Sequence, residues 1–472
     1  MTLKTLKAAY DVIIVGAGPA GLAAAAMTSN AGLATLLLDE NPSPGGQIYR
    51  AVTTTPLAIK SILGSDYWRG AALVEATVAS SAHIVQGATV WSLDRDLVVG
   101  VSGGGAARLV QARQVIIATG AQERPFPIPG WTLPGVMTVG AAQTLLKTSG
   151  LVPQGRTVIA GLGPLLWLYA AQALRASGEI VAILDTTPRA NWLATLPHTP
   201  GFLLSSLWSK GLAMMREVRK RVPVVRGVTA LASEGDQAIQ RVSYTTGAGA
   251  NVQMDVDTLL LHQGVVPNVN LAMAAGVEHH WDAAQLCWSP RVDEFGRSPM
   301  AGILVAGDGA GIGGAAAAAE CGRLAAIAVL RALGRGDAAP DEQSIRQALR
   351  RHRLGRRFID ALFRPAQQFR VPADETIVCR CEEVTAGQIR QTATALGCEG
   401  PNQMKAFLRC GMGPCQGRMC GLSVTELIAQ ARGTAPADVG YFRLRPPVKP
   451  IALAELAEMP ADESAVKAVV RL

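Results

Sequence analysis

The chain reads as an α/β protein with two dinucleotide-binding folds and a separate cysteine-rich module near its C-terminus. Three observations predict this. A glycine-rich turn joins an apolar strand to a helix at Gly16–Gly21, a second such turn stands at Gly161–Leu166, and six of the eight cysteines follow residue 375. A length of 472 residues is enough for two or three cores. The 49% apolar content and 50 glycines suit packed sheets with many tight turns.

The first turn has every neighbour that a dinucleotide site needs. Asp11–Val15 is a buried-strand pattern, and it runs into Gly16-Ala-Gly18-Pro19-Ala20-Gly21. An alanine-rich helix to about Ala31 follows, then a strand Ala34–Leu38 ending in Asp39-Glu40. Gly16 permits the turn, Gly18 lets the backbone approach a pyrophosphate, and Gly21 lets the helix pack against the sheet. Pro19 and Ala20 open the helix, whose unpaired N–H groups face the phosphates. Asp39 stands where an acid binds a ribose hydroxyl pair, and Glu40 is one residue out of phase.

Three further segments favour FAD over NAD. Gly45-Gly46-Gln47 lets the chain pass close to an isoalloxazine, and Val115–Gly120 is a strand ending in the small turn Thr119-Gly120. Gly302–Asp308 is another strand, ending in Gly307-Asp308 and followed by glycines and an alanine helix. These segments resemble the FAD-domain signatures of glutathione and thioredoxin reductases. The resemblance implies that Asp308 binds the ribityl or phosphate region and that the next helix N-terminus faces the flavin pyrimidine ring. An ordinary helix N-cap is the other reading of Asp308.

The second βαβ unit is altered. Arg156–Ala160 leads into Gly161-Leu-Gly163-Pro-Leu-Leu166, a helix, and the strand Ile180–Leu184 before Asp185. Leu166 occupies the third glycine position, where bulk moves the helix off the sheet and disturbs a pyrophosphate site. Arg189 alone makes a poor 2′-phosphate clamp. The expectation is a retained scaffold rather than a working NAD(P)H site. No Cys-x-x-Cys or Cys-x4-Cys lies near the flavin segments, and Cys287 and Cys321 read as isolated core residues.

From Thr376 the composition changes. Cys379-Arg-Cys381 precedes a helical stretch, then Cys410-Gly-Met-Gly-Pro-Cys415-Gln-Gly-Arg-Met-Cys420. Thiolates suit iron, and adjacent glycines free N–H groups to bond the sulfides. The module resembles the bacterioferritin-associated-ferredoxin (BFD) type of [2Fe-2S] domain. Spacings 410/415 and 415/420 are equal, so Cys410 competes. The long gap after Cys381, and the related module of anaerobic glycerol-3-phosphate dehydrogenases, favour Cys379, Cys381, Cys415 and Cys420 as ligands. Zinc is the chemical rival, although zinc ribbons prefer Cys-x2-Cys knuckles.

The expected organisation is an FAD domain in two parts, 1–145 and 285–335, split by a Rossmann domain over 150–280. An Arg-rich helical connector over 336–374, the cluster domain over 375–432 and an extended tail over 433–472 follow. His83–Val110 predicts a β-meander. Together GAGPAG, DEN-x3-GGQIYR, ATGAQERPFPIPGW, GLGPLL, GDGAG and VCRCEEVT…GMGPCQGRMCG span almost the whole chain. They resemble the A (α) subunits of heteromeric dye-linked amine and imino-acid dehydrogenases, which include opine oxidase, hydrogen cyanide synthase and D-hydroxyproline dehydrogenase. The fold class expected is thus a glutathione-reductase-like, two-dinucleotide-domain flavoprotein with a C-terminal BFD-like domain.

That resemblance implies FAD and a [2Fe-2S] cluster. It also implies a partner flavoprotein β subunit that oxidises the substrate, a small ferredoxin-like subunit, and a quinone or dye as acceptor. Six scattered histidines offer no acid–base pair for amine oxidation. The net charge of +8 concentrates in Arg346–Arg370, which suits a solvated connector or docking on an acidic partner or membrane surface. No aromatic-rich basic platform accompanies it, which argues against nucleic acid. Clustered thiols and an N-terminal strand without a leader predict the cytoplasm, with peripheral contact at the inner membrane as the variant.

Overall fold

The computed structural model describes residues 3–459. The first domain is built on a sheet of seven strands. Ala9–Val15 lies at its centre, parallel to Thr35–Asp39 on one side and to Ala106–Ile117 on the other. These strands are apolar on both faces because both are covered: one by helices, the other by Val90, Leu93, Val99 and Val101 of the meander with Leu271 and Ala275. Ile303–Val305 returns from late in the chain to pair parallel with Ala106–Ile117. The sheet therefore closes only after the second domain has been made.

The predicted meander is corrected at its start. Thr89–Leu93, Val98–Gly103 and Ala106–Ile117 are antiparallel neighbours, but His83–Gln86 pairs parallel with Thr35–Asp39 at the opposite edge. The helix Ser65–Val78 is the reason: it makes the strand–helix–strand crossover that sets parallel neighbours side by side.

Helix Pro19–Asn30 and helix Ala315–Ala332 pack against each other under this sheet. Their approach depends on small residues. A Cβ on Gly322 would lie 2.1 Å from Ala20 O.

The second domain has a five-stranded parallel sheet in the order Val224–Arg226, Ile180–Asp185, Thr157–Leu162, Thr258–Gln263, Val136–Thr138. Val136–Thr138 falls within the segment assigned to the FAD domain, yet it belongs here. The chain crosses earlier, along the ribbon in which Ala121–Glu123 and Val265–Pro267 pair antiparallel. A three-stranded antiparallel layer, from Ala230 to Asp255, covers the second sheet through Leu231, Val242 and Tyr244.

Helices Glu342–Arg353 and Arg356–Leu362 form the connector. The ion pair of half-buried Arg370 with buried Glu426 ties its end to the cysteine module. In that module a hairpin of Ile377–Cys379 and Val384–Thr385 leads into helices Ala386–Ala395, Pro401–Leu408 and Gly421–Arg432. Val378, Ile389, Met404, Val424 and Leu427 form its core. Thr385 and Gln388 make a reciprocal capping box at the first helix.

The tail from Tyr441 to Lys449 runs back to the first domain without regular structure. Val448 N–H donates to Trp91 O at 2.9 Å, and Lys449 Nζ meets Glu40 Oε2 at 2.5 Å. Residues 460–472 of the predicted tail lie outside the described residues.

Candidate functional site

The first glycine turn is a backbone cradle. Gly16 has φ 106°, and a Cβ there would stand 2.5 Å from Ala118 O. A Cβ on Gly21 would stand 1.8 Å from Gly16 O, so only glycine lets the helix begin this close to the turn. Gly46 has φ 62°, and a Cβ on it would stand 2.8 Å from Gly18 Cα. The loop predicted to pass a flavin is therefore pressed onto the phosphate turn. Asp39 is buried; its Oδ2 accepts Ala17 N–H at 2.5 Å and its Oδ1 accepts Asn41 N–H at 2.8 Å. The carboxylate is thus fixed beside the turn.

A cavity of about 1470 Å³ runs over this cradle. It is lined by Gly16, Gly18, Pro19, Ala20, Asp39, Glu40, Gly46, Gln47, Thr119, Gly120 and Asp308. Gly21 and Gly307 stand behind it, where Gly307 abuts the Ala20 methyl. Asn268 N–H donates to Gly120 O at 2.9 Å, and Thr119 Oγ1 donates to Asn268 O. Asp308 Oδ1 accepts Gly313 and Gly314 N–H at 2.8 and 2.9 Å, which fixes the glycine turn leading into helix Ala315–Ala332 while the residue still borders the cavity.

These features fit a flavin dinucleotide: an open phosphate turn, an acid at the ribose position and a helix start at the far end. Gly21→Ala should cost about 3 kcal/mol or more through backbone overlap. A loss of bound flavin with a lowered Tm, read by absorbance and thermal melting, is the expected outcome.

The second turn is built differently. Leu166 is buried in the core at the place matching Gly21. Since no side chain fits at Gly21, helix Pro164–Arg175 necessarily stands farther from its own turn. The space that Gly163 opens is taken by His262, whose Nε2 lies 3.2 Å from where a Gly163 Cβ would stand. The ring is fixed by a 2.6 Å hydrogen bond between its Nδ1 and Glu123 Oε1, while Glu123 Oε2 accepts Gly140 N–H at 2.9 Å. An imidazole therefore adjoins the glycine that would meet a pyrophosphate. Sequence reading placed His262 among scattered residues, because its partner Gly163 is 99 residues away.

Five thiols gather in the C-terminal module. The sulfurs of Cys379, Cys410 and Cys420 lie within 4.8 Å of one another, and all three are buried. Cys381 is exposed and Cys415 half-buried; the Cys415 N–H and thiol both face the Cys381 sulfur. Thiols of Cys410 and Cys420, then N–H groups of Gly411 and Glu382, donate toward Cys379 and push its pKa down to about 2. The contact with Cys379, and after it burial, push Cys410 and Cys420 up.

The predicted four thus form an inner pair, Cys379/Cys420, and an outer pair, Cys381/Cys415, with Cys410 a third thiol on the inner side. Two pairs of thiolates suit a two-iron cluster, each pair holding one iron. The glycines here are steric necessities. A Cβ on Gly413 would stand 2.2 Å from Cys381 Cβ, and Gly411 and Gly417 lie against the Phe442 ring.

The cavity reaches this module. Arg380, Arg418 and Met419 line its far side. Arg380 lies over the Trp131 ring at 5.1 Å, and Trp131 Nε1 donates to Ile377 O at 2.7 Å. Gln122 Nε2 donates to Arg418 O at 2.9 Å, and Asn270 Nδ2 donates to Gln416 O at 3.0 Å. The cysteine loops therefore rest directly on the segments around Gly120 and Asn268.

Two buried cations were missed in the sequence. Arg50 lines the cavity beside Asp39 and Glu40, and its Nε has no partner among the described residues. It closes the GGQIYR run, so the signal stood in the motif. Lys147 Nζ donates to Gln47 O, Ile48 O and Gln143 Oε1 at 2.8–3.0 Å. Nothing near Lys147 in sequence announces that contact.

Residues 10–322 match the pyridine nucleotide-disulphide oxidoreductase family, and residues 373–459 match the sarcosine oxidase A3 domain. The chain is similar to the opine oxidase A subunit of Agrobacterium tumefaciens, at 48% identity over 99% of this chain and 97% of that one. It is also similar to the HcnB subunit of hydrogen cyanide synthase from Pseudomonas aeruginosa, at 32% identity over 93% of this chain and 96% of that one. Among solved structures, L-proline dehydrogenase from P. horikoshii has the same fold, with a TM-score of 0.70 at 19% identity over 95% of this chain and 79% of that one.

Proposed function

The chain belongs to the pyridine nucleotide-disulphide oxidoreductase family, among the opine oxidase A subunits, and from that premise we propose that it is the electron-transfer subunit of a heteromeric flavin dehydrogenase acting on amine or imino compounds. FAD is its flavin, and a [2Fe-2S] cluster on Cys379, Cys381, Cys415 and Cys420 is the second centre of the reading. When bound, FAD supplies both paired and single electron exchange, and the cluster supplies single-electron exchange.

One observation carries the proposal: the cavity over the dinucleotide cradle extends to the cysteine loops. The chain's own groups have corresponding tasks. Gly16, Gly18 and Gly46 admit the dinucleotide backbone, Asp39 holds the ribose hydroxyls, and Arg50 faces the phosphates with an unfilled N–H. Gln122 and Asn270 hold the cysteine loops against the flavin side. Trp131 and Arg380 stack at the boundary between the two centres.

Substrate oxidation falls to a partner flavoprotein β subunit, with a small ferredoxin-like subunit completing the assembly. The acceptor is a quinone or dye. No described helix is long and apolar enough to cross a membrane, and the proposed setting is the cytoplasm with peripheral membrane contact.

Co-expression with the partner flavoprotein should raise substrate-dependent dye reduction from background, and flavin, iron and sulfide assays should give one FAD and one two-iron cluster per chain. Anaerobic NADH should leave the flavin oxidised on the turnover timescale. Rapid bleaching by NADH alone would overturn the reading in favour of a self-sufficient diaphorase.

A further inference from the structure

The helical stretch Ala190–Arg219 of the second domain leaves large apolar side chains in solvent. Trp192, Leu193, Leu196, Leu203, Leu204 and Trp208 are 41–80% exposed. Singly exposed apolar residues are ordinary, but six within residues 192–208 form a patch that calls for a partner phase. The stretch is held in place from behind. Phe202 stacks on Phe358 of the connector at 4.0 Å, and Asn191 Nδ2 donates to Leu362 O and Arg364 O.

Its charge is one-sided. Residues 186–226 contain seven lysines and arginines and one acid, Glu217, which pairs with Arg175. Arg216, Lys220 and, on the adjoining connector, Arg351 and Arg357 are exposed with no ion pair among the described residues. A protein partner that buried these cations would have to bring matching carboxylates in fixed positions. An anionic lipid surface satisfies them without fixed geometry. Tryptophan and leucine within a cationic rim are what an element lying in a bilayer interface presents.

We propose that the 190–221 helical face, with the arginines of the adjoining connector, is a docking surface for an anionic lipid bilayer. It gives a site to the peripheral membrane contact proposed above, on which it rests for its purpose. Behind the patch, Phe202, Leu207, Met214, Met215 and Phe358 line one end of the cavity, so the docking face backs directly onto it.

The test uses the full chain co-purified with its partner subunits, sedimented with vesicles of phosphatidylglycerol and phosphatidylethanolamine or of phosphatidylcholine alone. Binding to the anionic vesicles is expected, with a fall of about tenfold or more when salt is raised from about 0.1 to 0.5 M, as surface charges are screened. The double variant Trp192→Glu/Leu204→Glu should reduce that binding at least as strongly. Arg216→Glu/Lys220→Glu should weaken it and flatten its salt dependence. Flavin content should be unchanged in both, since these side chains are exposed and outside the cradle.

Equal sedimentation with both vesicle types, no sedimentation of the complex, or full binding by the Trp192/Leu204 variant would overturn the proposal. Binding by the free chain but not by the complex would also overturn it, and would make the patch an interface between subunits. Each result is read without turnover, so it is separable from failure of the electron-transfer reading, which shows as absent flavin or absent dye reduction.

Discussion

Cys379→Ser should remove the iron–sulfur absorption and electron paramagnetic resonance signal while leaving bound flavin in place. Cys379, like Cys381, belongs to every competing ligand set, and it is the buried one of the two. It has Cys410 and Cys420 within 4.8 Å, and N–H groups of Gly411 and Glu382 aimed at its sulfur. Serine keeps the volume but is a hard, weakly acidic ligand, and iron in a sulfide cluster prefers soft thiolate. The flavin cradle draws on none of these groups, so its occupancy should change little.

The informative member of the series is Cys410→Ser. Under the two-pair arrangement Cys381 and Cys415 hold the outer iron and Cys379 and Cys420 the inner one, so Cys410→Ser should retain iron, sulfide and spectrum. Cys415→Ser should lose them, because no other thiol faces Cys381 so directly. Loss of the cluster in Cys410→Ser with retention in Cys420→Ser would move the inner ligand to Cys410. Flavin absorbance in each variant shows that the chain has folded, so cluster loss by unfolding is recognised.

What could be read from the sequence was whatever is written in contiguous residues. The first cradle was legible because strand, turn, helix and acid all fall within residues 11–40, and each glycine has a local steric reason. The thiol cluster was legible as a set but not as an arrangement. Its three-dimensional order depends on how the loop from Cys410 to Cys420 folds over Cys381, through Gly413. The state of the second dinucleotide turn was only half legible. Leu166 announced a displaced helix, but the imidazole beside Gly163 comes from the strand Thr258–Gln263, and no local pattern points from one to the other. The tail looked extended from its prolines. That Phe442 packs on Gly411 and Gly417 and that Lys449 reaches Glu40 are tertiary facts that the alternation of apolar residues does not encode.

Lys147→Met should produce the largest loss of flavin affinity among single changes outside the glycine turns. The lysine side chain is 1% exposed, and its ammonium has three acceptors: Gln47 O, Ile48 O and Gln143 Oε1. Gln143 in turn donates to Gln172, and Gln172 to Leu63 O, so the amine ends a buried polar chain. Methionine fills the same space and donates nothing. Gln47 and Ile48 are themselves exposed, so water takes up part of the lost bonding and about 1–3 kcal/mol in all falls on that segment. That segment continues from Gly46, which is pressed against Gly18, so loosening it opens the phosphate turn. Weaker FAD retention on gel filtration with cluster content unchanged is the expected result. A variant that holds FAD as tightly as the parent chain would sink the idea.

The pH dependence follows from the same burial. Desolvation, then the charge of Arg50, lowers the Lys147 pKa from 10.5 to about 7. Between about pH 7 and 10.5 the unfolded chain therefore binds this proton and the folded chain does not, so stability rises with pH across that window and is lowest, and flat, below it. Lys147→Met removes the group and its linkage. The difference in unfolding free energy between parent and variant should grow in the parent's favour as pH rises above about 7, and denaturant melts at two pH values measure it. A difference that shrank with pH would mean that the three carbonyl acceptors keep the amine protonated in the fold.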